Sequence, residues 1–398
     1  MINPIILNMK NNKEKKIKKG VLIAFDGEIF LKSFGVKNFF KKKLVYNILN
    51  SFQKQKINFK IFNYYDRIFI EVDFFKKAIK VLKKTFGIAW YAEALFLENY
   101  NIKDLNEFIK EKYTNWIKKD ESFALRVKKE AGEKQSKEEI IKILAKNIKR
   151  KVNLSHPDKE IFIEIRKNGC FLYFKKNEGL RGMPIGSQGK VLVLMSGGID
   201  SPVANWLINK RGTENIWIHF HSFPLVSEKS IEKIKDLARL FLDYQSKIKI
   251  YFVPFSEIQT EIKLNIPAKY RVLFYRRAMF KISEQIAKKE NYQAIITGES
   301  LGQVSSQTLQ NINIIQEKIK IPILRPLISF NKEEIIKISK KIKTYEISIL
   351  PQEDCCTLFV PKGQSAKADI NIIKNLEKKL NLSSLIKKAI KNTKLEEF

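Results

Sequence analysis

The stretch VLVLMSGGIDSP, at 191–202, combines residue types that could bind a phosphate group. Apolar residues typical of a strand end at two consecutive glycines, Gly197 and Gly198, which let a ligand approach the backbone closely. Ser201 suits an N-cap and Pro202 a first helical position, and free N–H groups at a helix N-terminus attract anions. Two glycines alone would fit an ordinary turn, but the whole order predicts an anion site between a strand and a helix.

Other phosphate motifs do not fit this loop. The nearest match to a Walker loop, GSQGKV at 186–191, is too short, lacks the hydroxyl residue and precedes the strand. The dinucleotide fingerprint GxGxxG is also absent here. A loop without the Walker lysine suits a pyrophosphate that leaves better than a γ-phosphate that is transferred. Asp200 lies among the donors, where it either holds Mg²⁺ or fixes the loop through hydrogen bonds.

The three cysteines are too few and too unevenly placed for a disulfide framework, and no Cys/His spacing indicates zinc. The adjacent pair Cys355 and Cys356, in EDCCTLF, could carry sulfur, because a thiolate accepts a sulfane sulfur and returns it as a persulfide. The alternative is a pair of inert thiols. Cys170 alternates with apolar neighbours in GCFLYF, which predicts a small buried residue.

Strand and helix patterns alternate after residue 190, which indicates a parallel sheet whose ligands bind at the carboxyl ends of the strands. His219 and Phe220 end the strand pattern NIWIHF, and Gly298 ends AIITG, where a glycine admits a ligand close to the backbone. On its own, His219 would more simply be a core histidine. A helix predicted over 267–289 carries Arg276 and Arg277, and periodicity does not decide which of them points inward.

The first half of the chain predicts smaller α+β units. Residues 20–70 read as a strand, a basic helix and a strand pair, and residues 1–20 as a solvated tail. A helix from 138 is expected to bury one apolar face, formed by Ile140, Ile141, Leu144, Ile148 and Val152. Two further strands, EIFIEIRK and GCFLYFKK, are joined by the hairpin signal Asn168-Gly169. The glycine-rich stretch 178–190 marks a domain boundary.

The chain of 398 residues has a formal net charge of +33, from 75 Lys and Arg against 42 Asp and Glu. An excess of this size attracts polyanions such as nucleic acid. The alternative is biased codon usage, since Lys, Ile, Asn and Phe are all abundant. No segment is apolar enough for a membrane span and the N-terminus is unlike a secretory signal, so we expect no membrane association and a cytoplasmic protein.

SGGIDS is the PP-loop signature of ATP pyrophosphatases. Together with TGESLGQVSSQTLQNI, PQEDCCTLFVPK and GLRGMPIGSQGK, it resembles the bacterial tRNA 4-thiouridine synthetases, the ThiI-type tRNA sulfurtransferases. The similarity continues through KVNLSHPDKEIFIEIRKNGCFLYF and reaches the N-terminus at DGEIFLK. It implies an α/β fold in which a parallel-sheet PP-loop domain (adenine nucleotide alpha hydrolase-like), at 178–398, follows α+β ferredoxin-like and THUMP RNA-binding domains at 1–71 and 72–177.

The resemblance also implies an activity: adenylation of a tRNA uridine, position 8 in the family, and replacement of its C4 oxygen by persulfide sulfur. ATP and Mg²⁺ are the expected cofactors, with Asp200 as the metal ligand. Cys355 aligns best with the family's active cysteine, and Asp200 and Cys356 complete the expected catalytic set. The expected nucleotide contacts are Leu194, Met195, Ser196, Gly197, Gly198, Ser201, His219, Phe220, Arg276, Gly298 and Gln307.

Two departures from the family pattern change the expectations. A rhodanese domain with its own sulfur-carrying cysteine is missing from the sequence, so we expect a separate cysteine desulfurase as donor, and the sequence leaves open the thiamine-related role associated with that domain. The family's Gly-Asn-Arg run after DGEIFLK is replaced by SFGVKNFF, so RNA contacts should differ there. The expected partners are tRNA and the desulfurase, with a homodimer as one compatible assembly. The competing interpretations are another PP-loop enzyme, amidating or 2-thiolating, and a non-catalytic RNA-binding protein.

Overall fold

The computed structural model describes residues 14–130, 135–225, 227–351 and 363–398. The chain divides into two compact units, Met1–Gly182 and Met183–Phe398. No helix within the described ranges is long and apolar enough to cross a membrane.

The first unit contains one mixed sheet and five helices in its described residues. The elements are β1 Lys16–Phe25, α1 Gly27–Phe30, α2 Phe34–Lys54, β2 Phe59–Asn63, β3 Arg67–Val72, α3 Phe75–Leu82, β4 Ile88–Glu98, α4 Ile102–Lys112, β5 Phe123–Lys129, α5 Lys137–Ala145, β6 Lys159–Arg166, β7 Gly169–Tyr173 and β8 Asn177–Glu178. The strand order is β2-β3-β1-β4-β7-β6-β5, and β8 pairs with β4. The strands of the region expected to be ferredoxin-like therefore continue directly into those of the region expected to be a THUMP domain, and the boundary expected at residue 71 stays a prediction.

Three expectations for this unit need correction. Residues 16–20 are not a solvated tail, because they form the first half of β1 and pair with β4. The predicted helix with Val152 ends at Ala145; Val152 is 55 % exposed and forms an isolated bridge with Phe123. Ile140, Leu144 and Ile148 are buried as predicted. The hairpin between β6 and β7 is confirmed, with Gly169 at a positive φ of 137° as the first residue of β7.

Side chains on the two faces of this sheet have different surroundings. On one face, residues of β4 to β7 pack against α4 and α5 in a core that includes Leu97, Leu105 and Ile140. Because successive strand residues point to opposite faces, their neighbours form a second cluster on the other face. That cluster is made of strand and turn residues, with Phe171 in ring contact with Tyr64, Phe69 and Phe96 at centroid distances of 5.0, 5.4 and 4.7 Å.

The second unit is built on a mainly parallel sheet. Its elements are β9 Lys190–Leu194, α6 Asp200–Lys210, β10 Glu214–His221, α7 Lys229–Phe241, β11 Lys249–Pro254, α8 Ser256–Asn265, α9 Arg271–Lys289, β12 Ile295–Ile296, α10 Leu309–Gln316, β13 Ile323–Leu324, α11 Lys332–Lys341, α12 Tyr345–Ser348, α13 Ile370–Glu377, α14 Leu382–Lys391 and β14 Lys394–Glu397. The strand order is β13-β12-β9-β10-β11-β14, and only β14 is antiparallel to its neighbour.

The predicted parallel sheet is therefore confirmed, with two differences in detail. The helix expected over 267–289 begins at Arg271, after a 3₁₀ turn at Ala268–Tyr270, and the separate helix α8 precedes it. The C-terminal segment contributes an edge strand, β14, after its two helices. The sheet order reverses at β9, whose neighbours are β12 on one side and β10 on the other. Ligands of such sheets bind at this reversal point, at the carboxyl ends of the strands.

A buried amide network holds α6 on β10. Asn205 Oδ1 accepts hydrogen bonds from Trp217 Nε1 at 2.9 Å and from Asn215 Nδ2 at 2.8 Å. Asn209 Nδ2 donates to Gln245 Oε1 at 3.1 Å, and the same oxygen accepts the Asn215 N–H at 2.9 Å. Buried polar groups with satisfied partners fix one arrangement of a core. The network therefore sets the position of the helix that begins at the SGGIDS loop.

We predict that Phe171→Ala lowers the free energy of unfolding by about 3–5 kcal/mol, because it leaves a cavity in the aromatic cluster on the sheet face opposite α4 and α5. Chemical denaturation of the whole chain measures the change. Phe74→Ala is the matched control, since Phe74 is 57 % exposed. Equal, small effects of the two substitutions would show that the cluster is not a core.

Candidate active site

A cleft with about 760 Å³ of empty volume opens at the carboxyl ends of β9, β10 and β12. Of the residues expected at the site, it is lined by Leu194, Met195, Ser196, Asp200, Ser201, His219, Phe220, Arg276, Gly298 and Gln307. Gly197 and Gly198 belong to the same loop but are not part of the lining. Cys355 and Cys356 lie outside the described residues. The cleft also includes residues that the sequence did not indicate, among them Thr297 and Glu299.

The loop after β9 is closed by Ser201. Its hydroxyl oxygen accepts the Ser196 N–H at 3.0 Å and donates to the Ser196 carbonyl at 2.8 Å. The predicted N-cap role is wrong, because α6 begins at Asp200 after Ile199, which already has helical backbone angles. Ser201 is thus the second helical residue and Pro202 the third. The side chain that was expected to cap the helix instead holds the two ends of the loop together.

Gly298 packs directly against this loop. A Cβ at Gly298 would lie 2.8 Å from the Ser201 nitrogen and 2.9 Å from the Asp200 carbonyl carbon. Real Cβ atoms do not approach backbone so closely, so any side chain here would displace the start of α6. The expected reason for this glycine was room for a ligand; on the Cβ side, that space is occupied by the helix itself.

Glu299 carries the densest charge cluster in the cleft. Its side chain is 1 % exposed, and Arg276 NH2 and Arg325 Nε each contact one carboxylate oxygen at 2.6 Å. The Thr297 hydroxyl donates to it at 2.9 Å. Burial alone would raise the pKa of Glu299, but the two guanidinium groups and the hydroxyl hold it below its usual value. Glu299 therefore stays ionised and fixes both arginines.

The ambiguity between the two arginines of α9 is resolved by their partners. Arg276 lines the cleft. Arg277 is 5 % exposed and forms ion pairs with Glu377 at 2.7 Å and Glu317 at 3.3 Å, and it also donates to the Ile314 carbonyl. Arg277 therefore ties α9 to α10 and α13 in the core of the unit. The sequence could not distinguish the two because the distinguishing glutamates are distant along the chain.

Asp200 accepts hydrogen bonds on both carboxylate oxygens. Lys332 Nζ lies 2.6 Å from Oδ1, and Gln303 Nε2 donates to Oδ2 at 2.8 Å. These contacts fit the hydrogen-bonding role considered for Asp200, and they do not exclude the metal role, because each carboxylate oxygen can accept more than one contact. No three His, Cys, Asp or Glu side chains converge as a metal site anywhere in the ranges that the structure describes. Mg²⁺ is commonly held by one or two carboxylates together with substrate phosphates, a donor set to which Asp200 could contribute.

His219 joins β10 to the loop. It is 4 % exposed, and its Nδ1 lies 2.9 Å from the Met195 carbonyl oxygen. A carbonyl only accepts, so Nδ1 carries the proton. His219 is therefore a buried, hydrogen-bonded histidine and a cleft residue at once. Cys170, by contrast, lies in β7 and is 2 % exposed, and burial raises the pKa of its thiol to about 12, as expected of an inert structural residue.

A parallel sheet with a closed anion loop after β9, and a cleft where the strand order reverses, defines a nucleotide-binding domain of the PP-loop class. The family model "Thiamine biosynthesis protein (ThiI)" matches residues 186–382. A "ThiI ferredoxin-like domain" matches 21–92 and a "THUMP domain" 99–175.

Proteins described as "Probable tRNA sulfurtransferase" match along almost their whole length. The chain is 37% identical to one from Brevibacillus brevis over 95% of this chain and 96% of that protein. It is 38% identical to one from Acetivibrio thermocellus over 95% and 98%. A 4-thiouridine synthetase, solved as an RNA complex with bound ATP, superposes with a TM-score of 0.85 and 31% identity over 96% of this chain and 100% of that one. The chain therefore belongs to the ThiI family of tRNA sulfurtransferases.

We predict that Glu299→Gln weakens the binding of ATP, the nucleotide expected from the sequence, by about tenfold. The loss of the charge leaves Arg276 and Arg325 without their shared carboxylate, and a charge-assisted hydrogen bond contributes about 1.5–3 kcal/mol. Titration calorimetry measures the change. Glu317→Gln, which alters the Arg277 pair outside the cleft lining, is the control. Unchanged affinity in Glu299→Gln would show that the cluster does not position the cleft.

Proposed function

We propose that the protein is an ATP-dependent tRNA sulfurtransferase that converts a tRNA uridine, position 8 in the family, to 4-thiouridine. The observation that carries the proposal is the loop closed by Ser196 and Ser201 at the end of β9, inside a cleft that Arg276 also lines. Family membership supports the reaction class, and the RNA and ATP bound to the similar 4-thiouridine synthetase support the two substrates.

The first step is adenylation of the base. The C4 oxygen of the uridine attacks the α-phosphorus of ATP, the bond between that phosphorus and the bridging oxygen breaks, and pyrophosphate leaves. Main-chain N–H groups of the loop and the N-terminus of α6 receive the diphosphate charge. Lys332, beside Asp200, brings to the loop the ammonium group that the loop sequence itself lacks. Mg²⁺ would supply further charge neutralisation at the phosphates, with Asp200 as its protein ligand.

The other cleft residues hold the nucleotide. Leu194, Met195 and Phe220 offer apolar contact area, and Met279 and Phe280 on α9 add to it. Such a wall suits the flat face of a purine. Arg276, held by Glu299, is directed at the nucleotide, and Gln307 borders the same cleft while its Oε1 accepts the Ser300 N–H at 3.2 Å.

The second step replaces oxygen by sulfur. The terminal sulfur of a Cys355 persulfide attacks C4, and the C4–O bond breaks with release of AMP. Sulfane sulfur must gain two electrons to become the thiocarbonyl sulfur. A second thiolate supplies them by forming a disulfide, and Cys356 is the candidate; an external thiol reductant then restores both thiols. We propose a cysteine desulfurase as the persulfide donor, a homodimer as the assembly and the cytoplasm as the compartment.

We predict that Cys355→Ser abolishes 4-thiouridine in tRNA, because a hydroxyl cannot carry sulfane sulfur. ATP–pyrophosphate exchange in the presence of tRNA should persist in this variant, since adenylation precedes sulfur transfer. Nucleoside analysis of tRNA from a deletion strain that expresses each variant gives the first readout.

Cys170→Ser is the matched control, because Cys170 lies in β7 of the first unit, and this variant should thiolate normally. Normal 4-thiouridine in a Cys355→Ser, Cys356→Ser double variant would overturn the proposed sulfur route. An exchange reaction that never depends on tRNA would favour a different acceptor, and no exchange at all in the wild type would favour a non-catalytic RNA-binding protein.

A further inference from the structure

A network of charged side chains, four of them largely buried and one half exposed, lies on the face of the first unit's sheet that also carries the aromatic cluster of Phe171. Asp66 Oδ1 contacts Arg166 NH1 at 2.7 Å, and Asp66 Oδ2 contacts Lys128 Nζ at 2.6 Å. Glu164 Oε1 contacts Arg67 NH2 at 2.8 Å, and Glu164 also pairs with Arg166. These five residues are called the Asp66 network below.

The strand order shows that the Asp66 network spans distant parts of the sheet. Asp66 directly precedes β3, whereas Lys128 lies in β5, five positions along the order β3-β1-β4-β7-β6-β5. Adjacent strands are about 4.8 Å apart, so the two strands would be about 24 Å apart in a flat sheet. A contact of 2.6 Å between the two side chains therefore requires the sheet to curve strongly toward this face. The Asp66 network joins the β3 side of this curved sheet to the β5 side.

The two sides of the network belong to different family domains. Asp66 and Arg67 fall in the range matched by the ferredoxin-like model, 21–92. Lys128, Glu164 and Arg166 fall in the range matched by the THUMP model, 99–175. In the described residues, the strands of the two ranges are connected through β4, whose residues 94–98 pair with β7. The Asp66 network adds a polar connection to the aromatic contacts of Phe171 with Tyr64 and Phe69, and none of its five residues lies in β4.

Most side chains of the Asp66 network are buried. The side chains of Glu164 and Arg166 are 3 % and 4 % exposed, and that of Asp66 is 11 % exposed. Burial alone would raise the pKa of Asp66, but hydrogen bonds from Arg166 and Lys128 and the charge of Arg67 hold it well below its usual range. Asp66 thus stays ionised, and its stabilising effect is lost only as the pH falls below the ordinary pKa of an aspartate. Removal of the Asp66 charge would take one carboxylate partner from Lys128, Arg67 and Arg166, while Arg67 and Arg166 keep Glu164, so the closed arrangement would be weakened.

Both connected ranges are basic. The ferredoxin-like range holds 14 Lys and Arg against 5 Asp and Glu, a net charge of +9. The THUMP range holds 19 against 12, a net charge of +7. Two basic regions joined rigidly bind one polyanion more tightly than the same regions joined loosely, because the orientation is fixed before binding.

We propose that the Asp66 network positions the ferredoxin-like and THUMP regions as one rigid surface for tRNA, with Asp66 as its central positioning residue. The inference rests on the proposed tRNA substrate. For the effect of Asp66→Asn on tRNA binding, this inference predicts the opposite of what the net charge alone predicts. Asp66→Asn removes a negative charge from a basic unit and so should strengthen nonspecific attraction to RNA. Positioning predicts weaker binding instead.

We expect Asp66→Asn to raise the KM for tRNA about tenfold, while kcat at saturating tRNA and the affinity for ATP stay unchanged. Fluorescence anisotropy with labelled tRNA measures the binding directly. Asp66→Glu, which keeps the charge, should restore most of the affinity.

Glu160→Gln is the control, because Glu160 pairs with Arg126 on the same face and both side chains are more than a third exposed. It removes the same charge and should leave tRNA binding unchanged or slightly tighter. Glu130→Gln, which removes the negative charge from a 2.9 Å ion pair with Arg166 NH1, should show a smaller loss and serves if Asp66→Asn does not fold.

Binding by Asp66→Asn and Glu130→Gln that equals or exceeds that of the wild type would overturn the inference. So would a parallel fall of kcat, ATP affinity and melting temperature without a change in the KM for tRNA, which would indicate a purely structural role. Wild-type protein that does not bind tRNA would instead overturn the proposed substrate, so the two failures are distinct.

Discussion

The site depends on one constraint: the backbone between β9 and α6 must fold tightly enough to present its N–H groups to an anion. Ser201 meets this constraint through two hydrogen bonds to Ser196, and Gly298 allows the end of β12 to contact the start of α6. The buried hydrogen bond from the Trp217 indole N–H to the Asn205 amide oxygen then holds the helix against β10. Each of these interactions acts on the same short loop, so the position of the proposed anion site is set by the core of the unit.

The cationic side chains around this loop are each held by a carboxylate. Glu299 holds Arg276 and Arg325, and Asp200 holds Lys332. The carboxylates keep these cations in place, so a polyphosphate would meet groups that are already oriented. Pre-oriented dipoles and charges are the largest source of rate enhancement in many enzymes because they need no reorganisation during the reaction. The same principle, at a larger scale, applies to Asp66 and its cationic partners in the first unit.

Local pattern predicted the parallel sheet, the SGGIDS loop between a strand and a helix, and the strand-end positions of His219, Phe220 and Gly298, whereas the other expected cleft residues came from the family resemblance. It did not find Glu299, Arg325 or Lys332, whose roles depend on contacts between segments that are far apart in the chain. It placed Ser201 at the helix cap because the Ser-Pro pair is a typical start signal, whereas the tight loop draws Ser201 into the first turn. It also extended the helix after Lys137 to Val152, since apolar spacing continues beyond the last helical residue.

The central claim is that the loop receives a leaving pyrophosphate, so the reaction must split ATP at its α-phosphate. The most direct measurement is the product balance of purified protein with tRNA, ATP and a persulfide donor, in which nucleotides are separated by chromatography and 4-thiouridine is quantified in the same sample. The account predicts AMP and pyrophosphate in equal amounts, each matching the 4-thiouridine formed. Production of ADP and orthophosphate alongside 4-thiouridine would contradict it.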